Sequence, residues 1–296
     1  MKPTGIECLS AEDTSIIYEL SKEIDIAVVK RLSKGQEIKF YIETMQGEKR
    51  LLRINGMEHY DWLEGDFRMY EYVAKAGINV SRPISMGSFR DKTLSYQLYT
   101  WLDGEDLVEA LPRMNPAQQY SAGIKSGTLM RKLHAMPPEN ETESWSVRFG
   151  RKVQYIIQTH SDKLEKFKDI ALLVRYLQEN QELFYKRPQT FTHGDWNTEN
   201  LIFTPDGQIG IIDLSGENDY GDPWWEFCLI PHDLNSSAHF YSGQINGYFN
   251  GKPLIEFFRL LAYYNAYGTL KWAPENAKII LNWFDDMKNP VPIWYS

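Results

Sequence analysis

The chain has 296 residues, 43% hydrophobic and 24% charged, the composition of a globular protein long enough for one large domain or two lobes. Its formal net charge of −8 excludes the basic footprint of a nucleic-acid binder. The acidic balance favours solubility and is compatible with cationic small molecules.

Along the chain, Ile26 to Leu32 is an apolar run that Ser33-Lys34-Gly35-Gln36 breaks. Phe40 to Thr44 resumes with residues that favour strands, Met45-Gln46-Gly47-Glu48 turns, and Arg50 to Ile54 follows. This reads as a three-stranded antiparallel meander. Trp62 to Ala76 carries Phe67, Tyr70, Val73 and Ala74 at helical spacing, with Gly77 as its C-cap. Strands are expected at Arg82 to Met86 and Leu94 to Trp101, before a break at Leu102-Asp103-Gly104-Glu105.

Beyond Gly104 the pattern is helical: Ala117 to Ala135, one or two helices between Val153 and Lys186, then Ile255 to Leu270 and Ala277 to Met287. The exception is Thr192 to Asp213, which reads as two short strands around a Pro-Asp-Gly turn. The expected fold class is α+β: a small antiparallel-sheet lobe with one helix over residues 1–101, and a large, mainly helical lobe over 102–296. A ligand is expected in the cleft between them.

Cys8 and Cys228 lie too far apart in sequence to form a framework or a metal motif, as is usual in a reducing cytoplasm. The N-terminal residues have no apolar signal core, and no apolar run approaches the ~20 residues that span a bilayer. The expectation is a soluble, cytoplasmic protein without a membrane or nucleic-acid partner.

The chemistry concentrates in Thr192 to Asp213. His193-Gly194-Asp195 is followed by Asn200, and Asp213 ends the apolar run Gly210-Ile211-Ile212. The protein-kinase catalytic loop, H-R-D-L-x-x-x-N, has the same interval from its basic Asp to its magnesium-binding Asn, and a metal-binding Asp follows downstream. Here Gly194 replaces the Arg, and Leu214-Ser215-Gly216 stands where the kinase has Phe-Gly. His193 and Asp195 could also bind zinc, but no second His or Cys lies at ligand spacing.

His-Gly-Asp-x-Asn-x-x-Asn followed by Ile-Ile-Asp resembles the aminoglycoside phosphotransferase and choline kinase superfamily, the small-molecule branch of the protein-kinase-like fold. Asp219-Tyr220-Gly221-Asp222-Pro223 is similar to that family's Gly-Asp-Pro segment. The resemblance runs from about residue 26 to 230. It implies that Asp195 is the catalytic residue and accepts or orients the proton of the acceptor hydroxyl. It implies that Asn200 and Asp213 hold Mg2+ against the phosphates of ATP or GTP, and that His193 fixes the catalytic loop.

The resemblance further places Ser33 and Gly35 in a loop over the phosphates, although one glycine is equally consistent with a plain hairpin turn. It puts Arg53 where kinases carry the phosphate-binding lysine; Arg53 would serve directly, with help from Lys39 or Lys49, or leave the site impaired. Asp66, ahead of Glu64, is its expected partner on the helix. Thr100 and Leu102 fall in the segment whose backbone pairs with the base. The partners implied are a nucleotide and a small hydroxyl-bearing acceptor, cationic ones included. The alternative reading is a nucleotide-binding pseudokinase that acts as a sensor or interaction module.

The C-terminal segments are rich in aromatics, including Tyr263, Tyr264, Tyr267, Trp272, Trp283 and Trp294. Most at helical spacing are expected in the core, with a minority lining an acceptor pocket. Asp233, Glu275, Asp285 and Asp286 could receive an amine-bearing substrate or lie at solvated helix ends.

Overall fold

The structure, a computed structural model, describes residues 5–7, 9–32, 37–137, 143–160, 168–214, 220–229 and 237–272. The chain divides into two compact units, Met1–Gly104 with Gly210–Ile212, and Glu105–Ile209 with Asp213–Ser296.

The first unit contains β1 (Gly5–Glu7), α1 (Ala11–Leu20), β2 (Val28–Leu32), β3 (Ile38–Glu43), β4 (Lys49–Gly56), α2 (Tyr60–Lys75), β5 (Pro83–Phe89) and β6 (Leu94–Thr100). Its sheet has the order β1-β2-β3-β4-β6-β5 and is antiparallel throughout except for the β1–β2 pair. The meander therefore forms as read. The edge strand β1 and helix α1 are additions to the expected single-helix lobe. Helix α1 starts at a capping box in which Ser10 and Asp13 exchange side-chain-to-backbone bonds.

Strand alternation assigns each face of this sheet. Val29, Phe40, Ile42, Leu52 and Ile54 are buried in a cluster with Ile16, Ile17 and Leu20 of α1. The intervening residues face the other way, so Arg53 lies opposite Lys39 and Gln97 in the register. Helix α2 covers that second face. Gln97 donates to Leu63 O at 2.8 Å, and the Tyr99 ring packs on Phe67 and Tyr70. Gly77 closes α2 with φ +72, a backbone conformation that glycine adopts without strain.

The second unit contains β7 (Glu105–Asp106), α3 (Leu107–Ala110), α4 (Pro116–His134), α5 (Trp145–Thr159), α6 (Lys168–Glu179), β8 (Thr190–Phe191) and β9 (Leu201–Phe203). It also contains β11 (Tyr220–Gly221), α7 (Ala238–Phe249) and α8 (Ile255–Trp272), while strand β10 (Ile209–Ile211) lies, from Gly210 on, in the first unit. Helices α5 and α7 differ from the expectation: α5 begins at Trp145, before Val153, and α7 has no counterpart in the sequence reading.

Helices α4 and α7 pack backbone to backbone. Gly123 and Gly127 on α4 face Gly243 and Gly247 on α7, and a methyl at any of them would overlap a carbonyl oxygen of the partner helix. The oxygens are those of Phe240, Gln244, Tyr120 and Ile124 respectively. Four-residue spacing puts each pair on one helix face, so two Gly-x-x-x-Gly motifs form the seam. A second core joins α5, α6 and α8 through Trp145, Phe149, Leu173, Leu177, Tyr263, Tyr264 and Tyr267. Tyr263, Tyr264 and Tyr267 are thus core residues, and Trp145 Nε1 donates to Tyr264 Oη at 2.8 Å. The side chains of Trp272, Trp283 and Trp294 lie outside the described residues, as do Asp233, Glu275, Asp285, Asp286 and the expected helix Ala277 to Met287. Among the described residues no helix is long and apolar enough to cross a membrane.

Candidate active site

The catalytic loop follows β8 and folds around Asp195. Gly194 has φ +86, so an arginine there would be strained, which accounts for the departure from the kinase pattern. Asp195 is exposed, and its carboxylate is held by two amides: Asn197 Nδ2 donates to Oδ1 and Asn200 Nδ2 to Oδ2, both at 2.9 Å. Asn200 Nδ2 also reaches Asp195 O at 2.9 Å. With its nitrogen committed twice, Asn200 offers Oδ1 as its remaining ligating atom. Asp213 follows β10 with φ +53, the left-handed region that Asp tolerates better than most residues.

The loop is pinned from beneath at three points. His193 Nδ1 accepts from Asp195 N at 3.2 Å, in keeping with the structural role implied for it. The indole of buried Trp196 donates to Ser126 Oγ at 3.1 Å, and Gln244 Nε2 donates to the same oxygen at 3.0 Å. Ser126 lies between Gly123 and Gly127 on the α4–α7 seam, so the helix contact reaches the loop through one hydroxyl. The third anchor is buried Glu226, which accepts from His193 N at 3.0 Å and from Gly194 N at 2.6 Å.

Glu226 is itself bonded to His134 of α4, whose Nε2 lies 3.1 Å from Oε2. Burial alone would raise its pKa. The hydrogen bond and field of His134, with His193, more than offset that and hold the carboxyl below its ordinary range. His134 Nδ1 lies 3.0 Å from Tyr248 Oη, which ties the ring to helix α7. Asp222 of the Gly-Asp-Pro segment is also buried. It takes a bidentate pair from Arg187 at 2.6 and 3.0 Å and a bond from Tyr264 Oη at 2.7 Å. That aspartate is architectural.

In the first unit, Arg53 is 7% exposed and does meet Asp66, at 3.4 Å. Glu64 instead pairs with Arg68 at 2.8 Å. The closer partner of Arg53 is a residue the sequence reading did not single out. Glu37 Oε2 receives both Nε at 3.0 Å and Nη2 at 2.6 Å. Lys39 reaches the same oxygen at 3.3 Å, whereas Lys49 pairs with Asp103. Burial opposes the charge on Arg53, but the fields of Tyr70, Glu37 and Asp66 raise its pKa overall.

Thr100 N donates to Arg82 O and Thr100 Oγ1 accepts from Arg82 N, both at 2.9 Å, so its amide serves the sheet. The backbone of Leu102 makes no hydrogen bond among the described residues, and its side chain packs against Gly210. Ser33 and Gly35 lie outside the described residues. Asp195 and Asn200 are brought together, as are Arg53 and Asp66. Glu226, His134, Ser126 and Glu37 were missed because their contacts join residues distant in sequence. Only Glu226 had a local pointer, its place just after Gly-Asp-Pro.

No curated protein matches the chain. Among solved structures, the GDP complex of aminoglycoside 2'-phosphotransferase-IIIa covers 93% of this chain and 98% of its own, with a TM-score of 0.67 at 12% identity. The gentamicin complex of APH(2")-IIa covers 98% and 99%, with a TM-score of 0.61 at 15% identity. APH(3'')-Id from Streptomyces rimosus, in complex with ADP and streptomycin, covers 89% and 100%, with a TM-score of 0.58 at 15% identity. These likenesses establish a shared α+β, kinase-like fold. A family model described as the phosphotransferase enzyme family matches residues 28–261, a stretch that takes in Arg53, the clamped Asp195, Asn200 and Asp213. On the extent of that match, this chain is a member of the phosphotransferase enzyme family.

Proposed function

We propose that this protein is a small-molecule kinase that transfers the γ-phosphoryl group of ATP or GTP to an acceptor hydroxyl with magnesium. The observation that carries the reading is Asp195: an exposed carboxylate, fixed by two amide donors and ready to accept a proton. Phosphoryl transfer asks little covalent chemistry of a protein beyond such a base, charge stabilisation and positioning.

Each residue then has a task. Asp195 orients the acceptor hydroxyl and takes its proton as the oxygen–phosphorus bond forms. Asn200 Oδ1 and the Asp213 carboxylate are hard oxygen donors of the kind magnesium selects, and they would hold it. Bound there, magnesium would neutralise charge on the phosphates. Arg53, oriented by Asp66, would bind phosphate oxygens, and the backbone of Leu102 would pair with the base. The acceptor proposed is a small hydroxyl-bearing molecule, cationic ones included. Structural neighbours are solved with ADP and streptomycin and with GDP and kanamycin. Buried Cys228, a free thiol, is compatible with a cytoplasmic setting.

A transfer screen over aminoglycosides, macrolides, choline analogues and sugars, with ATP or GTP and magnesium, tests the reading. Acceptor-dependent release of ADP or GDP that is absent from Asp195→Asn supports it. Nucleotide binding without turnover on any acceptor would instead favour the pseudokinase.

A further inference from the structure

The second unit carries a basic pocket that phosphoryl transfer leaves unused. Helix α5 contains Arg148, Arg151 and Lys152 and no acidic residue. Spacings of three and four residues put them on one face, an arrangement that like-charge repulsion disfavours. The stripe continues through Ile156 to Thr159 and lines a cavity of about 780 Å3. Tyr267, Leu270 and Lys271 at the end of α8 form the facing wall. Among the described residues that line it there is no Asp or Glu, in a chain whose net charge is −8.

The charges are only partly balanced. Arg151 pairs with Glu143 at the exposed rim. Arg148 donates to Glu143 O, Gln189 Oε1 and Tyr220 O and lies in the field of the Glu143 carboxylate. Lys152 has no ion-pair partner among the described residues, and its pKa is lowered by desolvation, then by Lys271 and Arg148. His160, buried in the same wall, engages Leu270 O through Nε2 at 2.8 Å, while its Nδ1 has no hydrogen-bond partner. Arg148, Arg151, Lys152 and Lys271 gather on this pocket, and such a cluster of cations suits a group bearing nearly two negative charges, as a phosphomonoester does at neutral pH. A guanidinium beside an ammonium supplies forked and point donors for its oxygens. The walls of Ile156, Tyr267 and Leu270 suit an apolar or aromatic body. They belong to the α5–α8 core, so the pocket is preformed.

We propose that this pocket binds a small phosphomonoester with an aromatic or apolar body. The test is a methyl-NMR titration of the full chain with phenyl phosphate, in saturating ADP and magnesium so that any nucleotide site is occupied. Expected are saturable shifts at the Ile156 and Leu270 methyls, about tenfold weaker binding to Lys152→Glu, and no shifts with benzyl alcohol. Lys152 is at the surface, so this variant should fold; unchanged dispersion of the other methyl signals checks it. Shifts confined to other methyls, or equal affinity in Lys152→Glu, would overturn the proposal. Inorganic phosphate binding as tightly as phenyl phosphate would also overturn it, since the apolar wall would then contribute nothing.

Discussion

Glu226 and His134 meet 3.1 Å apart in the interior, and the same carboxylate holds the backbone amides of His193 and Gly194. A buried charge with this many partners is costly to break on one side. Glu226→Gln is expected to destabilise the protein by ~3–5 kcal/mol, read from urea denaturation. The pH dependence has a definite sign. A carboxyl whose pKa is lowered by folding contributes stability that is present above its ordinary value of 4.5 and is lost as pH falls through its lower folded value. The wild-type protein should therefore lose stability steeply below that ordinary value, and Glu226→Gln should lose distinctly less over the same range. Parallel curves would show that Glu226 is not an acid-sensitive anchor.

For Asp195→Asn, transfer should fall by about 10³-fold or more while nucleotide affinity changes less than about threefold, because the side chain acts on the acceptor's proton. Calorimetric titration with nucleotide alongside a transfer assay separates the two quantities. Comparable loss of nucleotide binding would contradict the role assigned to Asp195.

Glu37 occupies the fork of Arg53 that phosphate oxygens would use. Removing that competing carboxylate should help an incoming anion. Glu37→Gln is expected to tighten nucleotide binding by about three- to tenfold, equivalent to roughly 0.7–1.4 kcal/mol. Weaker binding would mean that Glu37 orients Arg53 for phosphate instead of competing with it.

Two kinds of glycine in this chain should respond in opposite directions to the same change. Gly127→Ala places a methyl against Gln244 O across the α4–α7 seam and should cost about 2–3 kcal/mol or more, with loss of activity through Ser126 and Trp196. Gly65 sits within α2 with open space where its Cβ would be. Gly65→Ala should stabilise by about 0.5–1 kcal/mol, since alanine is the better helix former. Differential scanning calorimetry of the two variants reads both signs.

The sequence was most legible where function requires fixed local spacing. Asp195 and Asn200, expected close together from a loop spacing of a few residues, do share hydrogen bonds, and the three-strand meander could be read because alternation and turns are local. Helix α1 left a signal that was not used, the Ser10–Asp13 capping pattern. Helix α7 left almost none. It is buried at Phe240, Tyr241, Gly243, Gln244, Ile245, Gly247 and Tyr248, so no polar face sets a period against an apolar one. Glu37 and Glu226 read as ordinary surface acids until the fold brings Arg53 and His134 to them. Partners of that kind are fixed by tertiary contact, which no local pattern encodes.

The α4–α7 seam also bears on how the second unit is assembled. Ser126 and Gln244, which meet across it, are 118 residues apart in the chain. A contact that distant must wait for a large loop to close, which slows folding relative to local pairing. During synthesis from the N-terminus, α4 therefore leaves the ribosome with its glycine face uncovered. Trp196 can join Ser126 before α7 exists, but the Gln244 bond cannot form until that helix arrives. The catalytic loop thus reaches its final support late, when most of the described chain has been made.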